Sequence, residues 1–544
     1  MEWKKRYSTI RYALAMSSET LASHSTAPIE TFAVDPARVR ILAAHARHSA
    51  DTHLELIHTP LTGAPLASLP LATEADVAEA YARARDAQIE WARTSFKDRE
   101  QIMERFHDLV LDRQVEVLDL IQLESGKSRG HAFEEVADVA VTARHYGRAA
   151  SRYLKTRRRA GAYPVLSQAR ELRHPKGVVG IVSPWNYPFS LAVTDAIAAL
   201  MAGNAVVLRP DRQASLSALI GVEMLREAGL PEGVLQVVLG DRGIGQAVLD
   251  RADYACFTGS TPVGRKVAES LAGRLIGYSL ELGGKNGAYI ADDADLDKAV
   301  TGTIRTCFAS AGQLCMSAER VIVHENVADA FTAKLIAAVE AMKIGTSLGY
   351  GNDMGSLASA SQLATVIAHV EDARKQGATV LTGGRHRPDL GPYVYEPTLV
   401  AGVTESMLCR NAETFGPVVG IYRVAGDDEA VELINDTEFG LHGNVFTGSV
   451  RRGRKLAAMI RTGTVSINDA YSVAWGSIGS PMGGMKTSGV GRRHGSEGIL
   501  RFTEGQTVTA QHLLPFGPAF GMSDAAHSRL LTALLRVLKA GGKK

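Results

Sequence analysis

The spacing of apolar residues divides the chain into regions of different character. From about residue 73 to residue 155, apolar side chains recur at helical spacing with few Gly or Pro interruptions, which predicts a layer of helices. After this layer, short apolar runs alternate with helical segments; the runs lie at 178–183, 204–210, 234–240 and 253–259. Strands that alternate with helices at this spacing indicate a parallel, doubly wound sheet.

A second alternation of the same kind occupies roughly residues 283–490. Its candidate strands read AYIA, RVIVH, TVLTGG, GPVVGIYRV and TVSIN. The predicted fold class is therefore α/β, with two doubly wound αβ lobes and a cleft between them.

Both terminal segments differ from these lobes. Residues 1–49 are polar at first and lack a periodic segment, so we predict a flexible N-terminal extension. Residues 515–544 read as a linker followed by a capped amphipathic helix. Leucines 530, 531, 534, 535 and 538 form one face of that helix, and Arg529, Arg536 and Lys539 form another. We expect it to pack on this protein or on a neighbouring subunit; binding to a membrane surface is the alternative.

Charge and composition exclude several classes of function. The 544 residues contain 60 Lys and Arg against 58 Asp and Glu, so the chain lacks the basic excess typical of a nucleic-acid-binding protein. The most apolar stretch, residues 191–208, is interrupted by Asp195 and Asn204, which predicts no transmembrane helix. The four cysteines match neither a zinc pattern nor a disulfide framework, so we predict free thiols, no metal and a cytoplasmic location.

One glycine-rich turn is a candidate phosphate site. Gly259, Ser260 and Gly264 follow the predicted strand DYACFT and precede a helix, so free backbone amides there suit a pyrophosphate. Arg265 and Lys266 replace the Lys and the Ser or Thr of a P-loop, which argues against a kinase or NTPase. A plain structural turn is the alternative for these glycines.

Cys315 is the candidate nucleophile. It lies in FASAGQLCMSAER, after a predicted helix and before the predicted strand RVIVH. A thiol at such an element boundary, beside Gly312, can meet a substrate instead of being sealed in the core. The alternative is a small apolar filler, as most buried cysteines are.

The motifs around Cys315 carry a family resemblance. They read SPWNYPF, FTGSTPVG, LELGGKN, GQLC, ETFGPV and PMGGMKTSGVGR, with 34 residues from Glu281 to Cys315. In order and spacing they resemble the aldehyde dehydrogenase superfamily over roughly residues 50–510. Within it, segments such as DRADYACFTGST and GRRHGSEGIL most resemble the actinobacterial NADP-dependent succinate-semialdehyde dehydrogenases.

The resemblance implies a domain organisation. Residues 50–160 and 176–282 would form a cofactor-binding domain, and residues 283–490 a catalytic domain. Residues 161–175 and 499–511 would be bridging strands that join subunits into a homodimer or homotetramer.

The resemblance also implies a reaction, in which an aldehyde is oxidised to a carboxylic acid through a cysteine thiohemiacetal and a thioester. Cys315 would attack the carbonyl carbon, because a planar aldehyde releases hydride only after conversion to a tetrahedral adduct. The Asn186 amide and the Cys315 backbone N–H would form the oxyanion hole. Glu281 would be the general base that activates water and helps to deprotonate the thiol.

The cofactor residues follow from the same motifs. By resemblance they are Trp185, Asn186, Gly259, Ser260, Leu282, Glu413 and Phe415, with Arg209, Pro210, Asp211 and Arg212 at the adenosine ribose. Many relatives carry a glutamate where this chain has Arg212, so we predict NADP, with NAD possible, because guanidinium groups suit a 2'-phosphate. The alternative is that both arginines face solvent and that Asp211 neutralises one of them.

The substrate implied by the resemblance is succinate semialdehyde. Thr194 and Ala309, however, stand where well-known enzymes of this specificity have arginines, and only Ser477 matches a carboxylate contact. An uncharged aliphatic or aromatic aldehyde, entering past Trp475 and Tyr471, is the alternative. A thiol esterase and a non-catalytic scaffold are the rivals from other classes.

Overall fold

A computed structural model describes residues 32–50, 52–162, 167–512 and 517–540. Helices α1 to α18 span Pro36–Ala43, Glu74–Arg93, Phe96–Asp112, Gln114–Ser125, Arg129–Leu154, Pro188–Met201, Ser215–Glu227, Arg242–Leu249, Thr261–Ala272, Leu296–Phe308, Glu325–Glu340, Ala360–Lys375, Leu408–Asn411, Asp427–Asn435, Val450–Met459, Ser472–Gly476, Gly495–Leu500 and Asp524–Ala540. Strands β1 to β21 span Ala46–Arg47, Leu54–His58, Pro65–Pro70, Arg157–Arg159, Ser167–Pro175, Val178–Ser183, Ala205–Pro210, Leu235–Val238, Tyr254–Thr258, Gly277–Glu281, Asn286–Ile290, Ala318–His324, Thr379–Thr382, Thr398–Ala401, Val418–Val424, Phe439–Gly440, His442–Phe446, Thr464–Ile467, Met485–Lys486, Gly489–Val490 and Thr503–Gln511.

The predicted helical layer is confirmed as α2 to α5. Helix α2 begins at a capping box in which Thr73 and Asp76 satisfy each other's backbone N–H groups, and Ser95 caps α3 in the same region. The buried face of this layer packs on α6 and α7 through apolar residues such as Phe106, Val136 and Ile197. Helices α3 to α5 thereby cover α6 and α7 on one face of the first sheet, whereas α2 packs on the other face through Val77, Ala80 and Tyr81.

The first seven-stranded sheet has the order β1-β8-β7-β6-β9-β10-β20. All its neighbouring strands run parallel except the pair β10 and β20. The four strands predicted between residues 178 and 259 are its central members, and almost all their side chains are buried. Central burial on both faces is typical of a parallel sheet covered by helices.

The second seven-stranded sheet has the order β13-β14-β15-β12-β11-β17-β18, and only β13 and β14 pair antiparallel. It contains all five strands predicted in the second region. The predicted α/β class with two doubly wound lobes is therefore confirmed. The boundaries assigned to the cofactor-binding and catalytic domains stay a prediction.

A third sheet consists of three antiparallel strands in the order β21-β5-β4. Its β5 and β21 pair over nine residues each and correspond to the predicted bridging strands. The expected range 499–511 is too wide, because residues up to Leu500 complete helix α17 and the strand begins at Thr503. Residues 163–166 of the other predicted segment lie outside the described residues.

The predicted N-terminal extension is also too long. Asp35 caps α1 with Pro36 at its first position, and Ala46 and Arg47 in β1 pair with β8 at the edge of the first sheet. Residues 36–47 therefore belong to the fold, while residues 1–31 lie outside the described part of the chain. The predicted C-terminal helix is confirmed as α18; the first two residues of the predicted linker, 515–516, and residues 541–544 lie outside the described ranges. Among the described helices, none is long and apolar enough to cross a membrane.

Candidate active site

A cavity of about 320 Å³ opens where three neighbouring strands of the first sheet end. The segments after β6, β9 and β10 supply most of its wall, as expected for a ligand site at the carboxyl edge of a parallel sheet. The cavity brings together nine of the predicted site residues, which are Trp185, Asn186, Gly259, Ser260, Glu281, Leu282, Cys315, Glu413 and Phe415. Arg209, Pro210, Asp211, Arg212 and Ser477 do not line it.

Cys315 is half-buried in this cavity, whereas the other three cysteines are buried, and all four are free thiols. It follows a tight turn, Ala309–Gly312, in which Ser310 and Ala311 hold left-handed backbone angles. A Cβ on Gly312 would lie 2.3 Å from the Gly416 carbonyl oxygen, so only glycine fits there. Strained backbone of this kind is typical of functional sites.

The Cys315 thiol needs help to ionise. Burial raises its pKa to about 12, and the nearby carboxylates of Glu281 and Glu413 act in the same direction. At neutral pH the thiol is therefore protonated. A reaction through the thiolate requires a base beside it.

Asn186 is tied to the loop that carries Cys315. Its side-chain Nδ2 donates to the Gln313 carbonyl oxygen at 3.0 Å. Gln313 is fixed in turn, because its Oε1 accepts from the Ala358 backbone N–H at 2.9 Å. The amide predicted to serve the oxyanion hole thus faces the backbone of the nucleophile loop.

A buried ion pair supports Asn186 from behind. Lys127 Nζ donates at 2.6 Å both to Glu135 Oε1 and to the Asn186 backbone carbonyl. The other Glu135 oxygen accepts the backbone N–H groups of Phe189 and Ser190, at the first turn of α6. The sequence analysis missed both residues, since Lys and Glu are usually exposed and neither belongs to a quoted motif.

Glu281 is a buried carboxylate with an uncommitted oxygen. Its Oε1 is buried and has no hydrogen-bond partner within the described part of the chain. Burial raises its pKa to about 7, although the positive charges of Arg493 and Arg501 act in the opposite direction. A carboxylate that titrates near neutrality is suited to general base catalysis.

The two arginines near Glu281 are held by Asp195. Asp195 Oδ1 lies 3.1 Å from Arg493 Nε and 2.6 Å from Arg501 Nη2, and all three side chains are buried. The sequence gives little indication of this network, because Asp195 stands out there only as a polar residue within an apolar stretch. The network fixes the positive field next to Glu281.

Glu413 also lines the cavity, beside the segment that follows Glu281. Its Oε1 accepts the Gly284 backbone N–H at 2.7 Å, and burial raises its pKa to about 8. The adjoining Phe415 has a left-handed φ of 52° and packs edge-on against Trp185 at 5.7 Å. Glu319 holds this loop, since it accepts the backbone N–H groups of Thr414 and Phe415.

The cavity fits a dinucleotide. Ser260 makes no side-chain capping hydrogen bond, so the first-turn N–H groups of α9 are left for an anionic ligand. A Cβ on Gly264 would lie 2.4 Å from the Leu282 side chain, so the helix approaches the cavity wall as closely as glycine allows. Glu413 and the free Glu281 oxygen offer acceptors deeper in the cavity.

The two arginines predicted to read a 2'-phosphate differ in availability. Arg209 is buried, and its Nε and Nη2 donate to the Gly240 carbonyl oxygen at 3.0 and 2.6 Å. Arg212 is half exposed and donates to Glu55 Oε1 at 2.7 Å. Only Arg212 therefore presents a guanidinium that a ligand can reach by exchanging one surface partner.

An aromatic cluster lies on the other side of Cys315. Tyr187 and Tyr471 pack on Trp475 with ring centroids 4.8 and 6.1 Å apart, and the half-buried Cys315 contacts the same apolar cluster. Trp475 and Tyr471 also line a small cavity of about 150 Å³, together with Glu134. The predicted apolar mouth therefore includes two carboxylates, Glu134 and Asp138, and the Glu134 Oε2 accepts from the Tyr471 hydroxyl at 2.5 Å.

The structure does not bring Ser477 into this region as a ligand group. Its Oγ donates to the Val473 carbonyl oxygen at 2.7 Å, which is a local turn contact. Thr194 accepts from Arg493, and Ala309 is buried. The nearest link from a cation to the small cavity is indirect: Arg305 lines a separate cavity of about 390 Å³, and its Nη2 donates at 3.4 Å to the hydroxyl of Ser472, which lines the small one.

Comparison with known proteins agrees with this geometry. The model of the aldehyde dehydrogenase family matches residues 47–508. A protein of Mycolicibacterium smegmatis, named "Putative succinate-semialdehyde dehydrogenase (NADP(+))", is 46% identical over 512 residues, which cover 93% of this chain and 98% of that protein.

Solved structures are similar over the same region. The aldehyde dehydrogenase of Brucella melitensis biovar abortus has a TM-score of 0.81 at 31% identity, covering 86% of this chain and 96% of that chain. An NAD+ complex of an aldehyde dehydrogenase from Bacillus cereus has a TM-score of 0.82 at 29% identity, covering 89% and 100%.

Proposed function

The chain belongs to the aldehyde dehydrogenase family, and on that basis we propose that it oxidises an aldehyde to a carboxylic acid with Cys315 as nucleophile. The observation that supports this assignment best is a single cavity that holds the half-buried Cys315, the Asn186 amide and the unpaired Glu281 oxygen. These are the three groups that the reaction needs, namely a nucleophile, an oxyanion donor and a base.

The first half of the reaction forms a tetrahedral adduct. Glu281, as carboxylate, accepts the thiol proton, and the Cys315 sulfur bonds to the carbonyl carbon. The charge that develops on the oxygen is stabilised by the Asn186 amide, which the Gln313 carbonyl and Lys127 hold in place. The chemistry that a bound nicotinamide supplies is acceptance of the hydride from this adduct.

The second half hydrolyses the thioester. After its proton has passed to solvent, Glu281 accepts a proton from water, and the hydroxide formed attacks the acyl carbon. The carbon–sulfur bond breaks, the acid leaves and the thiolate is restored. In sum, one aldehyde, one water and one oxidised cofactor give one acid, one reduced cofactor and one proton.

We propose NADP as the preferred cofactor. Support comes from the names of the similar actinobacterial proteins and from the half-exposed guanidinium of Arg212 at the end of β7. A 2'-phosphate would replace Glu55 as the partner of Arg212, whereas Arg209 would support the strand end through Gly240. Ser260 would approach the pyrophosphate, and Trp185 and Glu413 would hold the nicotinamide half of the cofactor.

We propose succinate semialdehyde as the substrate, on the strength of the same relatives. With Thr194 and Ala309 in place of the expected arginines, the distal carboxylate needs another cation, and we assign Arg305, which donates to Ser472 in the wall of the small aromatic cavity. The second candidate is an uncharged aldehyde, which the rings of Tyr187, Tyr471 and Trp475 favour.

Two further properties complete the proposal. The exposed, nine-residue β21 would pair with a partner subunit and give a homodimer or homotetramer, since an unprotected edge of this length favours association. A cytoplasmic location would keep the Cys315 thiol reduced.

The test is the rate of NADPH formation by the purified protein with succinic semialdehyde and with butanal, each repeated with NAD. Faster turnover of succinic semialdehyde with NADP supports the proposal in full. The variant Arg305→Met should then raise KM for succinic semialdehyde about tenfold or more and leave butanal unchanged. Equal rates for the two aldehydes favour the second candidate. Hydrolysis of esters without any reduction of the cofactor would favour a thiol esterase. Inactivity on every aldehyde would favour a non-catalytic scaffold.

A further inference from the structure

Helix α18 lies apart from the catalytic fold. It comprises 17 residues, none of them buried, and begins after residue 508, where the match to the family model ends. Its first turn is formed by its own sequence, because the His527 backbone N–H donates to the Ser523 carbonyl at 3.0 Å. The helix therefore leaves most of its apolar residues exposed in this chain.

One side of α18 is broadly apolar. Leu530 and Leu535 are each 59% exposed and Val537 is 67% exposed, while Leu531 and Leu538 are half-buried. At 100° per residue these side chains, with Leu534, spread over about 160° of the helix circumference. A coiled-coil seam is narrower than this, since it uses only two positions in seven.

The remaining side of α18 is basic. It carries Arg529, Arg536 and Lys539 with Ser528 and Thr532, and the only acidic residue of the helix is Asp524 in the first turn. A second copy of the helix would present the same three positive charges, with only Asp524 to pair with them. An anionic lipid surface supplies both the opposite charge and a deep apolar layer.

We propose that α18 binds this enzyme to anionic lipid bilayers, lying in the interface with its leucines in the acyl region and its arginines at the headgroups. The helix does not span the bilayer, in agreement with its charged side. The proposal is independent of the substrate and of the catalytic residues.

The experiment is co-sedimentation of the full chain with vesicles of phosphatidylcholine alone or with about one third phosphatidylserine. We expect binding to the anionic vesicles, at least about tenfold weaker binding to the neutral ones, and release at high salt. The double variant Leu534→Glu/Leu535→Glu should abolish binding. Arg529→Gln/Arg536→Gln should weaken binding to anionic vesicles about tenfold or more.

A matched control is Leu54→Glu/Leu275→Glu, which changes two leucines that are 57% and 94% exposed elsewhere on the surface. This control should bind vesicles like the unchanged chain, and all variants should keep the rate of aldehyde oxidation. Failure of the unchanged chain to bind, or binding that survives the Leu534→Glu/Leu535→Glu change, would overturn the proposal. A third outcome would also overturn it: the unchanged chain does not bind vesicles, and the Leu534→Glu/Leu535→Glu variant forms a smaller oligomer. That result would show that the helix joins two copies of the chain.

Discussion

The side chain of Asn186 donates a hydrogen bond to the backbone carbonyl of Gln313, two residues before Cys315, at 3.0 Å. This bond couples the end of β6 in the first sheet to the nucleophile loop that precedes β12 in the second. The proposed oxyanion donor and nucleophile are therefore held together by a contact between the two lobes.

Replacing Asn186 with Ala should lower kcat about 100- to 1,000-fold, because one of two oxyanion donors is removed. The KM for aldehyde should change little, since the amide acts on the transition state. Steady-state kinetics measure the effect, with circular dichroism as the control for folding. A variant with normal kcat would show that the amide serves only the loop contact.

The rate should depend on the ionisation of Glu281. Burial raises the pKa of this carboxyl to about 7, so it is protonated and inactive below that pH and becomes a base above it. The value of kcat should rise through pH 7 and then level off, because the pKa of the Cys315 thiol lies far higher. In Glu281→Gln the rate should fall about 100-fold or more and lose this inflection. An inflection near pH 7 that persists in the variant would assign it to another group.

Lys127 should matter for stability as well as for catalysis. In Lys127→Met the buried Glu135 loses its cation, which should lower the free energy of unfolding by about 3–5 kcal/mol. The double change Lys127→Met/Glu135→Gln should cost less, because no buried charge is left unpaired. Denaturant unfolding of both variants decides this. Equal losses would mean that the two charges are not coupled.

Arg212 should set the choice of cofactor. In Arg212→Glu a carboxylate faces the adenosine ribose, so kcat/KM with NADP should fall about tenfold or more relative to NAD. Arg93→Glu is the matched control, since Arg93 is likewise an exposed arginine in an ion pair. If the ratio of the two cofactors is the same in both variants, Arg212 does not read the 2'-phosphate.

Patterns along the chain predict the sheets well, because strands such as β6 and β7 are continuous apolar runs between helical segments. They do not predict partners that are distant in sequence. Arg209 and Arg212 resemble each other in the sequence, but one is buried against Gly240 and the other pairs with Glu55, 157 residues away. Only the folded arrangement distinguishes their roles.

In the candidate site, too, some residues can be predicted from the sequence and others only from the fold. Cys315, Glu281 and Asn186 lie in recognisable motifs, whereas Lys127 carries no local signal, because a buried lysine is identified only by its partner. The start of the fold was missed for a different reason. Helix α1 has only eight residues, too few for a clear period, although Asp35 followed by Pro36 is a recognisable helix start.

The central claim is that Cys315 is the nucleophile, and the most direct test is NADPH formation by Cys315→Ala. The variant should bind NADP normally, as measured by quenching of tryptophan fluorescence, and should show no detectable turnover of succinic semialdehyde or butanal. Cys409→Ala, which changes a buried cysteine that does not line the cavity, is the control and should remain active. Full NADPH formation by Cys315→Ala would contradict the account.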